Sequence, residues 1–270
     1  MKIFLVLLTL LFTACAPDAQ VIDNPIVKKL DEGQRSGTQS FDHSAWSALL
    51  KAASRPNEGR VDYAYLAQHR AELDAYLDSL AKADVAKLGR AEQFALLLNA
   101  YNANTVRLIL ENYPAVKSIR DLSDPWKTAR YTVAGSVLSL DDIEHGLLRP
   151  IFKDPRIHFG VNCASIGCPP LADFAFTGPN VESQLDAVTR IALTNPRYAR
   201  VNGDTLELTA ILDWYGKDFV DETFVGSAKT VPVWVARFAS EDVKKLVKAK
   251  GGAPNVVFKD YDWKLNDVAR

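Results

Sequence analysis

The stretch Ala91–Tyr113, AEQFALLLNAYNANTVRLILENY, predicts a long helix that stops at Pro114. Its apolar residues point in nearly every direction around the helix axis, which indicates that the helix is buried. Two carboxamides, Asn99 and Asn102, fall among these directions. Because buried amides need hydrogen-bonding partners, we expect both to reach loops that another element brings over the helix. Their role is left open between holding the fold together and orienting a catalytic imidazole or a carbonyl oxygen.

Helical patterns dominate the chain before this stretch, and hairpin patterns dominate after it. The segments Phe41–Ala53 and Tyr65–Ala81 have helical spacing of their apolar residues. The turns Ala134-Gly135 and Asn202-Gly203-Asp204 each separate two short strand-like runs, which is typical of tight hairpins. This order predicts an α+β fold, with a helix-rich N-terminal half packed on a small, mostly antiparallel sheet.

The N-terminus resembles an export signal. A lysine precedes the apolar run Ile3–Phe12, which is too short to span a bilayer, and small residues stand before Cys15. This ending resembles a bacterial lipoprotein box, in which Cys15 carries the lipid. We therefore expect a signal peptide at residues 1–15, a flexible polar tether at 16–40 and one globular domain at 41–270. The protein would be exported and anchored in a membrane, facing the periplasm or the cell exterior.

Composition excludes several classes of function. The chain has 32 Lys and Arg against 33 Asp and Glu, so a basic nucleic-acid surface is not expected. Neither a GxGxxG nor a P-loop pattern occurs, so the sequence does not support nucleotide binding. We expect no cofactor. About 230 residues follow the tether, which is enough for a full hydrophobic core.

A second marked segment is the predicted helix start SLDDIEH at residues 139–145, which carries a capping-box pattern. Glu144 falls inside the apolar arc of this helix, and His145 lies at the edge of the arc. A carboxylate that faces a core needs a partner. Glu144 therefore either pairs with Arg149 or Arg156, or belongs to a catalytic group.

The third segment is DPRIHFGVNCASIGCPPL at Asp154–Leu171, which holds both cysteines that follow the export signal. The apolar run Ile157–Val161 predicts a buried strand that leads into a turn of small, polar residues around Cys163. Such a turn leaves a thiol room to meet a substrate. Cys163 is therefore the candidate nucleophile.

A thiol nucleophile needs a base, and an imidazole is the usual one. On the predicted strand, His158 and Asn162 share one face while Cys163 lies on the other, so His158 is a poor direct partner. His145 is therefore the preferred base, with Glu144 orienting it.

A disulfide between Cys163 and Cys168 is the competing hypothesis, because exported proteins tend to pair their cysteines. It could be structural or labile to reduction. A metal site is not predicted, since two sulfurs are too few and their spacing is not that of a zinc pair.

Five motifs resemble one known family. They are GRVDYAYL at Gly59–Leu66, NAYNA at Asn99–Ala103, LSLDDIEHGLLR at Leu138–Arg149, the cysteine segment Asp154–Leu171, and ILDWYGKDF at Ile211–Phe219. In this order, over roughly residues 40–250, they are similar to the domain-of-unknown-function 547 family, whose activity is unassigned. The resemblance implies that the marked polar positions lie together: Asn99, Asn102, Glu144, His145, His158, Cys163 and Cys168.

A single Cys-His pair with supporting amides is similar in kind to papain-like or transglutaminase-like thiol enzymes. In those enzymes the cysteine comes first in the chain, whereas here His145 precedes Cys163, so the resemblance implies a rearranged version of such a fold.

Two functions remain. The first is an envelope thiol hydrolase or acyltransferase in which Cys163 attacks an amide or ester, His145 is the base, and Glu144 or Asn102 orients it. The second is a non-enzymatic envelope module that binds a peptide, a cell-wall component or a small molecule. In that module a disulfide stiffens the recognition loop, and Trp214 and Tyr215 are contact residues.

Overall fold

The structure, a computed structural model, describes residues 19–270. The expected signal peptide, the lipidation site Cys15 and the first residues of the expected tether lie outside this range. Within it, no helix combines the length and the apolarity needed to cross a membrane.

Helices make up most of the chain before residue 111 and recur between the strands after it. The α-helices are α1 Pro25–Ser36, α2 Ser44–Ala53, α3 Tyr63–Gln68, α4 Arg70–Ala81, α5 Arg90–Leu110, α6 Ile157–Gly160, α7 Val181–Thr194, α8 Ile211–Trp214, α9 Val231–Val235 and α10 Glu241–Ala249. A π-helix spans Asp142–Phe152, and short 3₁₀ helices span Val85–Lys87, Ile119–Asp121, Gly178–Asn180 and Gly216–Phe219.

Strands are short and form three small sheets. The strands are β1 Ser54–Arg55, β2 Arg60–Val61, β3 Tyr131–Val133, β4 Ser136–Leu138, β5 Ala199–Asn202, β6 Thr205–Thr209 and β7 Asn255–Lys259. The pairs β1–β2, β3–β4 and β5–β6 are antiparallel, and β7 adds to β6 in parallel. The predicted α+β class and both predicted hairpins are confirmed, but the strands do not join into one sheet.

Helix α5 is the centre of the core, as its apolar sequence predicts. Of its 21 residues, 18 are buried, including both Asn99 and Asn102. Helix α4, the π-helix and α7 pack around it. A helix enclosed on all sides can present polar groups to several loops at once, and this property of α5 positions the site described below.

The expected tether at residues 16–40 is wrong for residues 25–36, which form α1. Asn24 caps this helix by accepting a hydrogen bond from the backbone N–H of Ile26, and Pro25 occupies its first position. Ile26 and Leu30, four residues apart, are fully buried against the core. The polar composition of the segment concealed one apolar stripe, which is sufficient to dock a helix.

The predicted strand Ile157–Val161 is also wrong, because residues 157–160 form the short helix α6. The carboxylate of Asp154 accepts a hydrogen bond from the backbone N–H of Arg156 at 2.9 Å, and the intervening Pro155 favours a turn that opens a helix. A short apolar run is compatible with either a buried strand or a buried helix. The helix removes the predicted alternation of faces that had separated His158 from Cys163.

Candidate functional site

One cavity of about 540 Å³ is lined by residues from four of the five motifs, all except Gly59–Leu66. Its volume lies within the range of small-molecule sites. Its walls come from α5, the π-helix, α6, the cysteine turn, α8 and the C-terminal segment. The lining residues are Tyr101, Asp124, Trp126, Lys127, Asp141, Glu144, His145, His158, Val161, Cys163, Cys168, Ile211, Trp214, Tyr215, Tyr261 and Trp263.

Two carboxamides hold the cysteine turn. Asn102 of α5 donates to the carbonyl of Gly160 at 2.9 Å and accepts from the N–H of Asn162 at 2.8 Å. Asn162 in turn accepts from the N–H of Ala164 at 2.9 Å and donates to the carbonyl of Pro169 at 2.7 Å. Asn102 therefore bonds backbone groups that a loop brings over α5, as expected, and both amides act as positioning groups.

The turn contains a strained residue beside the thiol. Ala164 has φ +63°, a conformation that costs a residue with a side chain roughly 1 kcal/mol or more. The hydrogen bond from Ala164 N–H to Asn162 compensates for part of this cost. This strain lies next to Cys163. Backbone strain is often found at functional sites.

The C-terminal segment supports the turn from behind. The N–H groups of Ile166 and Gly167 donate to the carbonyls of Lys264 and Asp262, at 2.9 and 2.8 Å. This pairing places the Tyr261 hydroxyl 3.1 Å from Cys163 Sγ. A side chain 98 residues further along the chain thus contacts the candidate nucleophile.

The environment of Cys163 favours its thiolate. A hydrogen bond from the Cys168 thiol, helped by the hydroxyls of Ser165 at 3.2 Å and Tyr261 at 3.1 Å, outweighs burial and lowers the pKa of Cys163 to about 7. Burial and the adjacent Cys163 raise the pKa of Cys168 well above its usual value. Of the two sulfurs, Cys163 is therefore the one that ionises.

Cys163 and Cys168 are both free thiols in the structure. The backbone N–H of Cys163 donates to Cys168 Sγ at 3.0 Å, so the second sulfur is folded back against the first residue. The structure describes the reduced pair, and the predicted disulfide stays a prediction about the oxidised protein.

Of the two histidines that line the cavity, His158 is hydrogen-bonded to a carboxylate, that of Asp218. Its Nε2 lies 2.8 Å from Asp218 Oδ2, and its ring stacks on Tyr215 with centroids 4.0 Å apart. Arg149 donates to both oxygens of Asp218, at 2.8 and 3.0 Å. Burial opposes ionisation of Asp218, but the hydrogen bonds from His158 and Arg149 lower its pKa to about 2.

The other ring nitrogen of His158 has no partner. Nδ1 is buried and receives no hydrogen bond from any of residues 19–270; Glu144 Oε1 lies 3.9 Å away. Because Asp218 is ionised, it fixes the proton of His158 on Nε2 and leaves the Nδ1 lone pair free. Burial lowers the pKa of His158, so the ring is neutral and able to accept a proton.

His145, the predicted base, has a hydrogen-bonding partner other than the thiol. Arg149 Nη1 lies 3.2 Å from His145 Nδ1, and since a guanidinium can only donate, Nδ1 must accept. The proton of a neutral His145 is then on Nε2, 3.9 Å from Asp141. Within the described range, no hydrogen bond joins Cys163 Sγ to His145.

Glu144 does not pair with either predicted arginine. Arg149 bonds Asp218, and Arg156 bonds Asp154. Glu144 instead lies between two imidazoles, 3.9 Å from the Nδ1 atoms of His145 and His158. The predicted capping box between Ser139 and Asp142 is present and fixes the start of the helix that carries Glu144.

Asn99 lies apart from the cavity. It donates to the carbonyl of Phe176 and accepts from its N–H, at 2.8 and 2.9 Å. Sequence reasoning missed Asp218, Ser165 and Tyr261. Asp218 had a local signal, being an acid inside the aromatic motif at 211–219, whereas nothing near Tyr261 in the sequence points to a thiol 98 residues away.

No group of three or more His, Cys, Asp or Glu side chains is arranged to hold a metal ion in the range that the structure covers. The side chains that line the cavity supply two thiols, two imidazoles, three carboxylates, one ammonium and an aromatic wall.

Comparison with known proteins gives a family without an assigned activity. The family model described as "Protein of unknown function, DUF547" matches residues 85–191. This span includes the cysteine turn and the π-helix but not Asp218 or Tyr261. No curated protein and no solved structure matches the chain.

Proposed function

We propose that the protein, whose residues 85–191 match the DUF547 family model, is a thiol-dependent hydrolase or acyltransferase acting on an amide or ester. The observation that carries the proposal is a cysteine with its pKa lowered to about 7, half-buried in the wall of a cavity of substrate size. A thiolate at neutral pH, accessible from a cavity, is the form of cysteine that reacts with carbonyl groups.

The nucleophile needs little help to lose its proton. With a pKa near 7, about half of Cys163 is thiolate at neutral pH. The thiolate attacks the substrate carbonyl, a carbon–sulfur bond forms, and the bond to the amine or alcohol breaks. That leaving group takes a proton from solvent water, and a thioester on Cys163 remains; His158 later returns to solvent the proton that it takes from the second nucleophile.

His158 is the proposed proton carrier, in place of His145. Its free Nδ1 lone pair, fixed by Asp218 on the opposite nitrogen, is able to take a proton from the attacking water or acceptor amine. The carboxylate of Glu144, 3.9 Å from Nδ1, stabilises the imidazolium that results. Breaking the thioester then regenerates the Cys163 thiolate and releases the acid or the transferred acyl product.

Trapping of the thioester tests this proposal. The reduced protein is incubated with a panel of activated acyl esters and peptide amides, and the adduct is located by mass spectrometry. We expect an acyl group on Cys163 and its loss in Cys163→Ser, which keeps the side-chain shape but is a weaker nucleophile. Unchanged turnover in Cys163→Ser, or acylation of another residue only, would reject the proposal.

The alternative is a binding module, and the contact between the two cysteines favours it. Cys163 N–H lies 3.0 Å from Cys168 Sγ, so oxidation could close a short loop under the cavity. Trp214 and Tyr215 both line the cavity and would contact the ligand. Counting the free thiols of protein taken directly from cells decides between the two functions. Two free thiols per chain exclude a permanent disulfide. Zero free thiols would show that Cys163 is not available as a nucleophile.

We also propose export and lipid anchoring through Cys15, supported by the apolar run and small residues before it. Expression of the full chain with a labelled fatty acid tests it. We expect label and membrane association in the natural chain, and neither in Cys15→Ser; equal labelling of both would contradict the anchor.

A further inference from the structure

We propose that the cavity recognises an alkylammonium group carried by the substrate. The inference rests on the proposed function only in treating the ligand as a substrate, because the binding of the cation itself requires no thiol chemistry.

The first argument is an aromatic wall. Trp263 stacks with Trp214 at 6.0 Å between ring centroids and meets Trp126 edge to face at 5.8 Å. Tyr261 packs against both Trp214 and Trp263, at 4.9 and 4.5 Å. All four line the cavity. The faces of such rings attract organic cations, with tryptophan the strongest.

The second argument is an excess of negative charge. The cavity is lined by the carboxylates of Asp124, Asp141 and Glu144 and by the ammonium of Lys127. Arg149 does not line the cavity; it donates to both oxygens of Asp218, which balances its charge, and to His145 Nδ1. Burial lowers the pKa of His158, which disfavours its charged form.

The third argument is a carboxylate with hydrogen-bonding capacity left over. Glu144 lines the cavity and is only 7% exposed; across residues 19–270 its oxygens receive no hydrogen bond, and Oε1 lies 3.9 Å from the Nδ1 atoms of His145 and His158. Because Glu144 faces the cavity, its hydrogen-bond donors must come from what fills the cavity. Burial, and less strongly the charge of Glu144, also raise the pKa of Asp141, although His145 and Lys127 oppose the shift. A ligand that brings N–H donors and a positive charge would correct both deficits.

These three features select among ligands. An anion would be repelled by three carboxylates, an aromatic ring would bring no donor to Glu144, and a neutral sugar would bring donors but no compensating charge. A primary alkylammonium provides three donors for the carboxylates and a hydrocarbon stem for the rings. The Tyr261 hydroxyl, 3.1 Å from Cys163 Sγ, makes the aromatic wall continuous with the thiol. A substrate held by its ammonium group would therefore lie beside the nucleophile.

The test uses Cys163→Ser protein, in which thiol chemistry is absent. Binding of n-butylammonium, of n-butanol and of butyrate is measured by calorimetry and by tryptophan fluorescence. We expect n-butylammonium to bind at least about tenfold more tightly than n-butanol, which differs only in the charged group, and butyrate not to bind. Equal affinity for the amine and the alcohol, or preferential binding of butyrate, overturns the inference.

Variants locate the cation. Glu144→Gln should weaken n-butylammonium at least about fivefold and leave n-butanol unchanged, whereas Glu241→Gln, an exposed acid remote from the cavity, should change neither. Should Glu144→Gln not fold, Asp141→Asn serves the same comparison. If Glu144→Gln weakened the binding of both probes, or left the binding of both unchanged, the assignment of the cation to Glu144 would be contradicted. Thioester trapping in the wild-type protein reports separately on the proposed function, so the two can fail independently.

Discussion

His158 Nε2 lies 2.8 Å from Asp218 Oδ2, and this contact joins two segments 60 residues apart in the wall of the cavity. Arg149 bonds the same carboxylate with two N–H groups. One buried acid thus neutralises a buried guanidinium and fixes the tautomer of an imidazole. The lone pair that remains on His158 Nδ1 is a consequence of that arrangement, and any role for His158 in proton transfer depends on it.

Asp218→Asn should destabilise the protein strongly. The variant keeps the shape but replaces the carboxylate of a buried ion pair with a neutral amide, and breaking such a pair costs about 3–5 kcal/mol in free energy of unfolding. Urea titration at pH 7 measures it. Asp213→Asn, an exposed acid five residues earlier, is the matched control and should change stability by less than about 0.5 kcal/mol. Similar stabilities for the two variants would mean that the Arg149 pair contributes little.

The pH dependence of alkylation should identify Cys163 as the ionised thiol. Iodoacetamide labelling of the Cys163 peptide, followed by mass spectrometry, should rise with a midpoint near pH 7, the pKa that its hydrogen bonds set. Cys168→Ala and Tyr261→Phe each remove one of those hydrogen bonds and should move the midpoint upward, toward that of an ordinary thiol.

Two results would count against this account of the thiol. A midpoint unchanged in both variants would show that the neighbours do not stabilise the thiolate. Rapid labelling that persists in Cys163→Ala would assign the reactive sulfur to Cys168, whose pKa the structure places well above the usual value.

Local pattern predicted the parts of this fold that depend on local physics. The apolar residues around nearly the whole circumference of α5 predicted that it is buried. The Ala134-Gly135 turn predicted the β3–β4 hairpin. At residues 157–160 the same reasoning failed, because four apolar residues carry too little periodicity to separate a helix from a strand. It failed at α1 because two buried residues on a polar segment are a weak signal.

The site was predictable to the extent that its groups lie in marked motifs. Glu144, His158 and Cys163 were singled out from sequence and line one cavity. Their partners, Asp218 and Tyr261, come from distant segments that only tertiary packing brings near, and no spacing rule connects them to a histidine or a thiol. The choice between His145 and His158 as base depends on those partners, so sequence alone could not decide it.

The two carboxamides of α5 should differ in what they affect. Alanine at Asn99 or at Asn102 removes two hydrogen bonds to buried backbone and should cost about 2–4 kcal/mol in each case. Only Asn102 holds the turn that carries Cys163. We therefore expect Asn102→Ala to raise the alkylation midpoint of Cys163 and Asn99→Ala, the control of equal burial, to leave it in place. Equal effects on the thiol would make both amides general supports of the fold.

His43 should give the protein part of its acid sensitivity. Burial lowers the pKa of His43 to about 4, against about 6.5 in an unfolded chain. Between these values the unfolded state binds a proton that the folded state does not, so stability present above pH 6.5 is lost as the pH falls toward 4. The loss from this group between pH 7.5 and 4.5 should be about 2–3 kcal/mol.

Urea unfolding at both pH values checks this contribution. His43→Gln should flatten the dependence by that amount. Tyr76→Phe removes the hydroxyl 2.7 Å from Nδ1 but keeps His43 buried, so it should retain the wild-type dependence. A flattened profile in Tyr76→Phe would assign the effect to the hydrogen bond instead of to burial.

Leu30 should behave as a core residue although it lies in a segment of polar composition. Its side chain is fully buried where α1 packs on the 3₁₀ helix Val85–Lys87 and on α5. Leu30→Ala removes that packing and should lower the free energy of unfolding by about 2–4 kcal/mol in urea titration. Lys28→Ala, on the exposed side of the same helix, should change it by less than about 0.5 kcal/mol. If both variants were as stable as the wild type, residues 25–36 would contribute nothing to the folded domain, and the segment would be a tether after all.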